Sequence, residues 1–79
     1  MVFVVQISNK PVYGGTAYVG TSIYVPKGYT INVSDVTAIG ASGNFASSIS
    51  WNRYGDYYRP STNNSNLAGY TLQITATLS

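Results

Sequence analysis

The sequence predicts an all-β domain, a small antiparallel sandwich or barrel of about six short strands and no helix. Three observations carry that expectation. Apolar and polar residues alternate with a period of two in several short runs. No window repeats at the helical period, and the strong helix formers Glu, Gln, Leu, Lys and Arg are scarce, with no glutamate at all. Gly, Pro, Asn and Ser punctuate the runs at short intervals.

Val2 to Ile7 opens the chain with a β-branched and aromatic run that places Phe3, Val5 and Ile7 on one strand face. Asn9-Lys10-Pro11 ends it, and Gly14-Gly15 reads as a turn or a bulge. Ala17 to Val25 is the second strand, interrupted by Gly20, which marks a bulge or a close backbone approach. Pro26-Lys27-Gly28 is a turn, with proline fixing φ and glycine free to take a positive φ. Tyr29, Ile31 and Val33 alternate with Thr30, Asn32 and Ser34 as a third strand.

Asp35 to Gly43 reads as a loop that drops Val36 and Ile39 into the core, and Ser47 to Trp51 as a short fourth strand. Asn52 to Ser65 is polar; its tyrosines suit a ragged strand, whereas Pro60 and Asn63-Asn64 point to loop. The final run is the clearest. Tyr70, Leu72, Ile74, Ala76 and Leu78 alternate with Thr71, Gln73, Thr75, Thr77 and Ser79, apolar inward and hydroxyl outward.

Seventy-nine residues form one domain, 1–79, near the lower size limit for independent folding. With no cysteine, no disulfide reinforces it, so packing against other copies or a larger assembly is the expected source of extra stability. Charged residues make up 8% of the chain, against about 25% in an ordinary domain. Such a weakly repulsive surface favours protein contact. The net charge of +2 comes from Lys10, Lys27, Arg53 and Arg59 against Asp35 and Asp56. These basic residues are dispersed, which predicts no nucleic-acid stripe.

No run approaches the ~20 apolar residues of a membrane-spanning helix, so no membrane insertion is expected. MVFVVQISNK lacks a basic n-region and a cleavage site and reads as mature chain, not a signal peptide. The expected location is therefore that of a protein made without an export signal, such as a component of a virion or an extracellular assembly.

Catalysis is not expected. Without histidine or cysteine there is no Ser-His or Cys-His nucleophile pair and no ordinary zinc site. Asp35 and Asp56 are the only carboxylate side chains, and both sit in turn-like surroundings. Trp51, Arg53, Tyr54, Tyr57, Tyr58 and Arg59 form the densest aromatic and cationic group, interleaved with Asn52 and Asp56. Tyr, Trp and Arg are the residues protein interfaces use as anchors. The same set suits stacking on sugar rings, and ordinary core packing accounts for part of it.

Ala17 to Val25 and Asn66 to Ile74 both read apolar, one residue, glycine, then a strand run. That pattern resembles the aromatic-x-Gly signature of βγ-crystallin Greek-key motifs, most fully over Ala17–Trp51, with a truncated second copy. Gly43-Asn44-Phe45-Ala46-Ser47-Ser48 is similar to that family's calcium loop, with Gly43 where the loop has its first Asn or Asp. The resemblance implies a Greek-key arrangement, a hairpin-tying role for Ser48, and Asn44 and Ser47 as calcium oxygens; no other cofactor is expected. The function predicted first is a non-catalytic structural or assembly protein, partnered by copies of itself or by a larger protein array such as a viral particle. A glycan-binding module and a calcium-binding crystallin-like protein are the alternatives. The closing strand, hydroxyl-faced, is a candidate for addition to a neighbour's sheet.

Overall fold

The computed structural model describes residues 1–12 and 15–79, so that Gly14 of the expected Gly14-Gly15 turn lies outside the described residues. Among the described residues seven strands form in chain order: β1 (Val2–Gln6), β2 (Tyr18–Val19), β3 (Ile23–Tyr24), β4 (Ile31–Ala38), β5 (Ser50–Tyr54), β6 (Tyr57–Thr62) and β7 (Thr71–Leu78). They make two antiparallel sheets, consistent with a small sandwich. One has the order β1-β7-β4. In the other, β6 carries β2 and β3 along one side and β5 along the other. Two three-residue 3₁₀ turns, Ala46–Ser48 and Ser65–Leu67, are the helical pieces among the described residues.

The strand β7 behaves as its alternation predicts: Leu72, Ile74 and Ala76 are buried, while Gln73, Thr75 and Thr77 face out. It lies between β1 and β4 rather than at an edge. This corrects the expectation that the closing strand adds to a neighbour's sheet, because both of its sides are already paired. The Met1 N–H and C=O both bond Ala76, at 2.7 and 2.9 Å, and the Ile7 N–H reaches the Tyr70 carbonyl at 3.0 Å. Odd-numbered residues of β1 therefore turn their backbone groups toward β7. Their side chains at Val5 and Ile7 are buried.

β4 departs from the sequence expectation. Asp35 to Ala38 is strand rather than loop, and Ile39 is exposed rather than inward. The cause is a bulge between Val33 and Asp35, where the pairing with β7 slips by one residue. An extra residue reverses which parity faces the core. Ile31 and Val33 point inward before it, and Val36 and Ala38 after it. An uninterrupted period of two cannot reveal that switch.

Pro60 lies inside β6 and is buried, although proline in a paired strand removes a donor. Its carbonyl accepts the Gly20 N–H at 2.9 Å. A residue's N and C=O point the same way in an antiparallel strand, so the missing Pro60 donor faces the gap between β2 and β3, where no ladder runs. The whole stretch Ser50 to Thr62 is accordingly a hairpin, with Gly55-Asp56 as its loop and Gly55 at φ +61°. The short strand expected over Ser47–Trp51 begins only at Ser50, after the 3₁₀ turn.

Gly20 joins the two sheets. Ile7 bridges to it from the end of β1, and the Thr21 N–H donates to the Gln6 carbonyl at 3.1 Å. A Cβ at Gly20 would stand 2.6 Å from Val5 Cγ1 and 2.9 Å from both Ile7 Cδ1 and Pro60 Cγ. The close approach expected of this glycine is therefore its structural reason.

Candidate functional surface

The aromatic and cationic residues that cluster in the sequence separate onto two faces of the β5–β6 hairpin. Cross-strand pairing sets Trp51 opposite Pro60 and Arg53 opposite Tyr58, on the face toward the core. Trp51 and Tyr58 are half-buried and pack on that core. They are scaffold.

Arg53 is a clamp. Its Nε donates to the Gly55 carbonyl at 2.9 Å, and its two terminal nitrogens donate to Tyr29 at 3.1 Å, Val25 at 2.9 Å and Pro26 at 3.3 Å. Its guanidinium carbon lies 5.0 Å from the Tyr58 ring centroid. The fork geometry of guanidinium lets one side chain fasten the hairpin loop to the Pro26-Lys27-Gly28 turn, which a lysine ammonium cannot reproduce. The turn has the expected form, with Gly28 at φ +90° and the Tyr29 N–H donating to Pro26 at 3.1 Å. Below it the Val25 N–H donates to the Asp56 carbonyl at 2.7 Å, and one carboxylate oxygen of Asp56 is buried without a hydrogen-bond partner.

The opposite face is different. Tyr54 stands across from Tyr57, Asn52 across from Arg59, and Tyr57 is paired on its other side with Tyr24 of β3. Tyr24, Tyr57 and Tyr54 thus form a row over three adjacent strands, exposed by 55%, 49% and 59%. Tyr24 and Tyr57 meet edge to face with ring centroids 5.5 Å apart. The Arg59 guanidinium lies 5.1 Å from the Tyr54 centroid, within cation–π range. Sequence proximity alone misses Tyr24, which is brought in by register; its signal is the alternation Ile23-in, Tyr24-out, Val25-in.

The row can anchor a protein surface, since tyrosine rings give large amphipathic contact area at low rotamer-entropy cost and Arg is a common interface anchor. It offers less to a sugar. The Tyr54 ring has a guanidinium on one face, the neighbouring pair stands edge to face, and no pocket opens among the described residues.

Asn44 and Ser47 lie elsewhere, beside the first sheet. Asn44 Oδ1 accepts the N–H groups of Val36 at 3.2 Å and Ala46 at 3.0 Å, and its Nδ2 donates to Asp35 at 2.6 Å. With the Phe45 N–H donating to the Val36 carbonyl at 2.7 Å, this fastens the loop onto the edge of β4. Ser47 is exposed, and the Ser48 N–H closes the 3₁₀ turn on Phe45 at 2.9 Å. Calcium takes six to eight oxygens with strong carboxylate contribution. Here two backbone donors occupy the Asn44 oxygen, Asp35 is the one carboxylate bonded to it, and no group of three or more His, Cys, Asp or Glu side chains converges among the described residues. These residues do not fit a calcium site.

Asn64 repeats the device, with Oδ1 accepting the Asn66 N–H at 3.0 Å at the start of the second 3₁₀ turn. Asp35 lies in β4 and bonds Asn44, whereas Asp56 lies in the β5–β6 loop of the other sheet, so the two carboxylates do not act on one site. No helix of the described residues is long and apolar enough to cross a membrane. Comparison with family models, with curated proteins and with solved structures finds no match to this chain.

Proposed function

We propose that the protein is a non-catalytic assembly subunit, a building block of a viral particle or another repeated array, that contacts protein through the outer face of its four-stranded sheet. The observation that carries this reading is the exposed Tyr24–Tyr57–Tyr54 row with Arg59 against its end. A small chain without disulfides gains stability from such contacts, and its few charges oppose them little. Tyr24, Tyr54 and Tyr57 each keep about half of their surface exposed, and a partner surface is what buries it.

Sedimentation velocity from micromolar to millimolar protein tests the reading. The wild-type chain is expected to associate with rising concentration, and the triple variant Tyr24→Ser, Tyr54→Ser, Tyr57→Ser to associate at least tenfold more weakly with an unchanged circular dichroism spectrum. Equal association by both chains, or quenching of tyrosine and Trp51 fluorescence by simple oligosaccharides that the triple variant abolishes, would overturn it in favour of another contact or of glycan binding.

A further inference from the structure

The two edges of the β1-β7-β4 sheet are protected very differently. On β4 the bulge between Val33 and Asp35 breaks the edge, Asp35 places a charge on it, and Asn44 and Phe45 take up both backbone groups of Val36. Bulges, charges and covering loops are the devices that stop edge-to-edge pairing. On β1 none of them guards Val2 to Val4 among the described residues: the strand, VFVVQ, carries no charged side chain and no proline, and only Gln6 at its end is covered.

The unprotected length can be specified. Since odd residues of β1 turn their backbone toward β7, the N–H and C=O of Val2, Val4 and Gln6 face away from it. Gln6 is already satisfied: its N–H donates to Thr21 Oγ1 at 2.8 Å and its carbonyl accepts the Thr21 N–H at 3.1 Å. Val2 and Val4 have no such partner among the described residues. Their side chains are also outward, exposed by 60% and 65%.

From this we infer that β1 pairs with β1 of a second copy across a twofold axis at Phe3, joining two three-stranded sheets into one continuous sheet. A twofold contact must match an edge with itself. Only a register with Val2 opposite Val4 of the second copy uses both free residues on each chain. A register centred on Val4 would instead set Val2 against Gln6, whose backbone groups are spent on Thr21. In the Phe3-centred register both outward valine pairs become cross-strand neighbours and cover one another. The strand has no ionisable side chain, and in this register the two Met1 ammonium groups stand at opposite ends of the pairing, each held on Ala76 of its own chain. This surface is separate from the tyrosine row.

The chain contains no cysteine, so engineered cysteines report the register cleanly. Val2→Cys and Val4→Cys chains mixed under mild oxidation are expected to give predominantly the cross-linked heterodimer. Each variant alone should cross-link at least fivefold less, because like positions stand farther apart than a disulfide spans. Equal cross-linking in all three combinations, or none in the mixture, would overturn the pairing. Val4→Pro offers a second route: it removes a donor that β7 does not use, so the fold survives while pairing is blocked. In the Tyr24→Ser, Tyr54→Ser, Tyr57→Ser background, sedimentation should still show a dimer that Val4→Pro converts to monomer. A dimer unaffected by Val4→Pro, or no dimer in that background, would refute the β1 contact while leaving the tyrosine face to be judged on its own test.

Discussion

The two sheets share one interior and present opposite exteriors. The outward residues of β7 are Gln73, Thr75 and Thr77, small groups that hydrate well and offer little to grip. The outward residues around β6 are Tyr24, Tyr54, Tyr57 and Arg59, large groups held in register across three strands. Inward, the contrast reverses. Leu72, Ile74 and Ala76 of β7 are wholly apolar, whereas β6 turns Tyr58, Pro60 and Thr62 toward the core, with the Thr62 hydroxyl spent on the Asn64 N–H at 3.0 Å. β7 thus supplies a wholly apolar share of the interior, and the outer face around β6 carries the large exposed rings. A side chain's direction out of the pleat decides which task it serves.

The largest test of that division is Leu72→Ala. Leu72 is buried at the centre of the first sheet, paired with Val5 on one side and Ala38 on the other. Removing it should cost about 2–5 kcal/mol, a large share of what so small a domain possesses. Urea unfolding followed by circular dichroism measures it. A loss below about 1 kcal/mol would mean that the first sheet is not the stabilising half.

A smaller effect is expected where the sheets meet. Gly20→Ala sets a methyl against Val5, Ile7 and Pro60 at 2.6 to 2.9 Å, so side chains from both sheets must shift together. Overpacking of this kind costs about 1–3 kcal/mol, or roughly 4–20 °C in melting temperature for a domain of this size. A neutral result in thermal melting would show that β1 and β6 move apart freely and that the two halves are less coupled than their contact at Gly20 implies.

Most of the first sheet was legible in the sequence because β7 alternates without interruption and β1 is an unbroken β-branched and aromatic run. The bulge in β4 was not, since a single unpaired residue changes the facing parity without changing composition. With it, Asp35–Ala38 of the apparent loop continues β4, and Ile39 turns outward. The second sheet was harder for two reasons. Pro60 argues against a paired strand until the gap between β2 and β3 is known, and that gap is a tertiary fact. The aromatic group was found by adjacency along the chain, but alternation assigns Trp51, Arg53 and Tyr58 to the inner side. It leaves Tyr54, Tyr57 and Arg59 outside, where Tyr24 joins them from a distant strand. Adjacent residues in a strand are on opposite faces, so a linear cluster overstates a surface and omits its distant members.

The smallest stability effects separate the two exteriors most sharply. Tyr57→Thr and Thr75→Ser are both outward changes at paired strand positions, one on each sheet. Neither opens a core cavity or leaves a buried polar group without a partner, so Thr75→Ser should alter unfolding free energy by no more than about 0.5 kcal/mol and Tyr57→Thr, which gives up a ring pair, by about 0.5–1.5 kcal/mol. Association should nevertheless split them. Thr75 sits beside Val2, and trimming its one methyl leaves the β1 edge and its valines in place, so the concentration dependence of the sedimentation coefficient stays unchanged. Tyr57 is the middle ring of the row, in contact with Tyr24 and opposite Tyr54. Its loss removes the edge-to-face pair and divides the surface, and truncation of a central aromatic anchor typically costs an interface about 2 kcal/mol or more. The dissociation constant from sedimentation should therefore rise about thirtyfold for Tyr57→Thr. An equal shift for both variants would remove the distinction between the faces, whatever their stability.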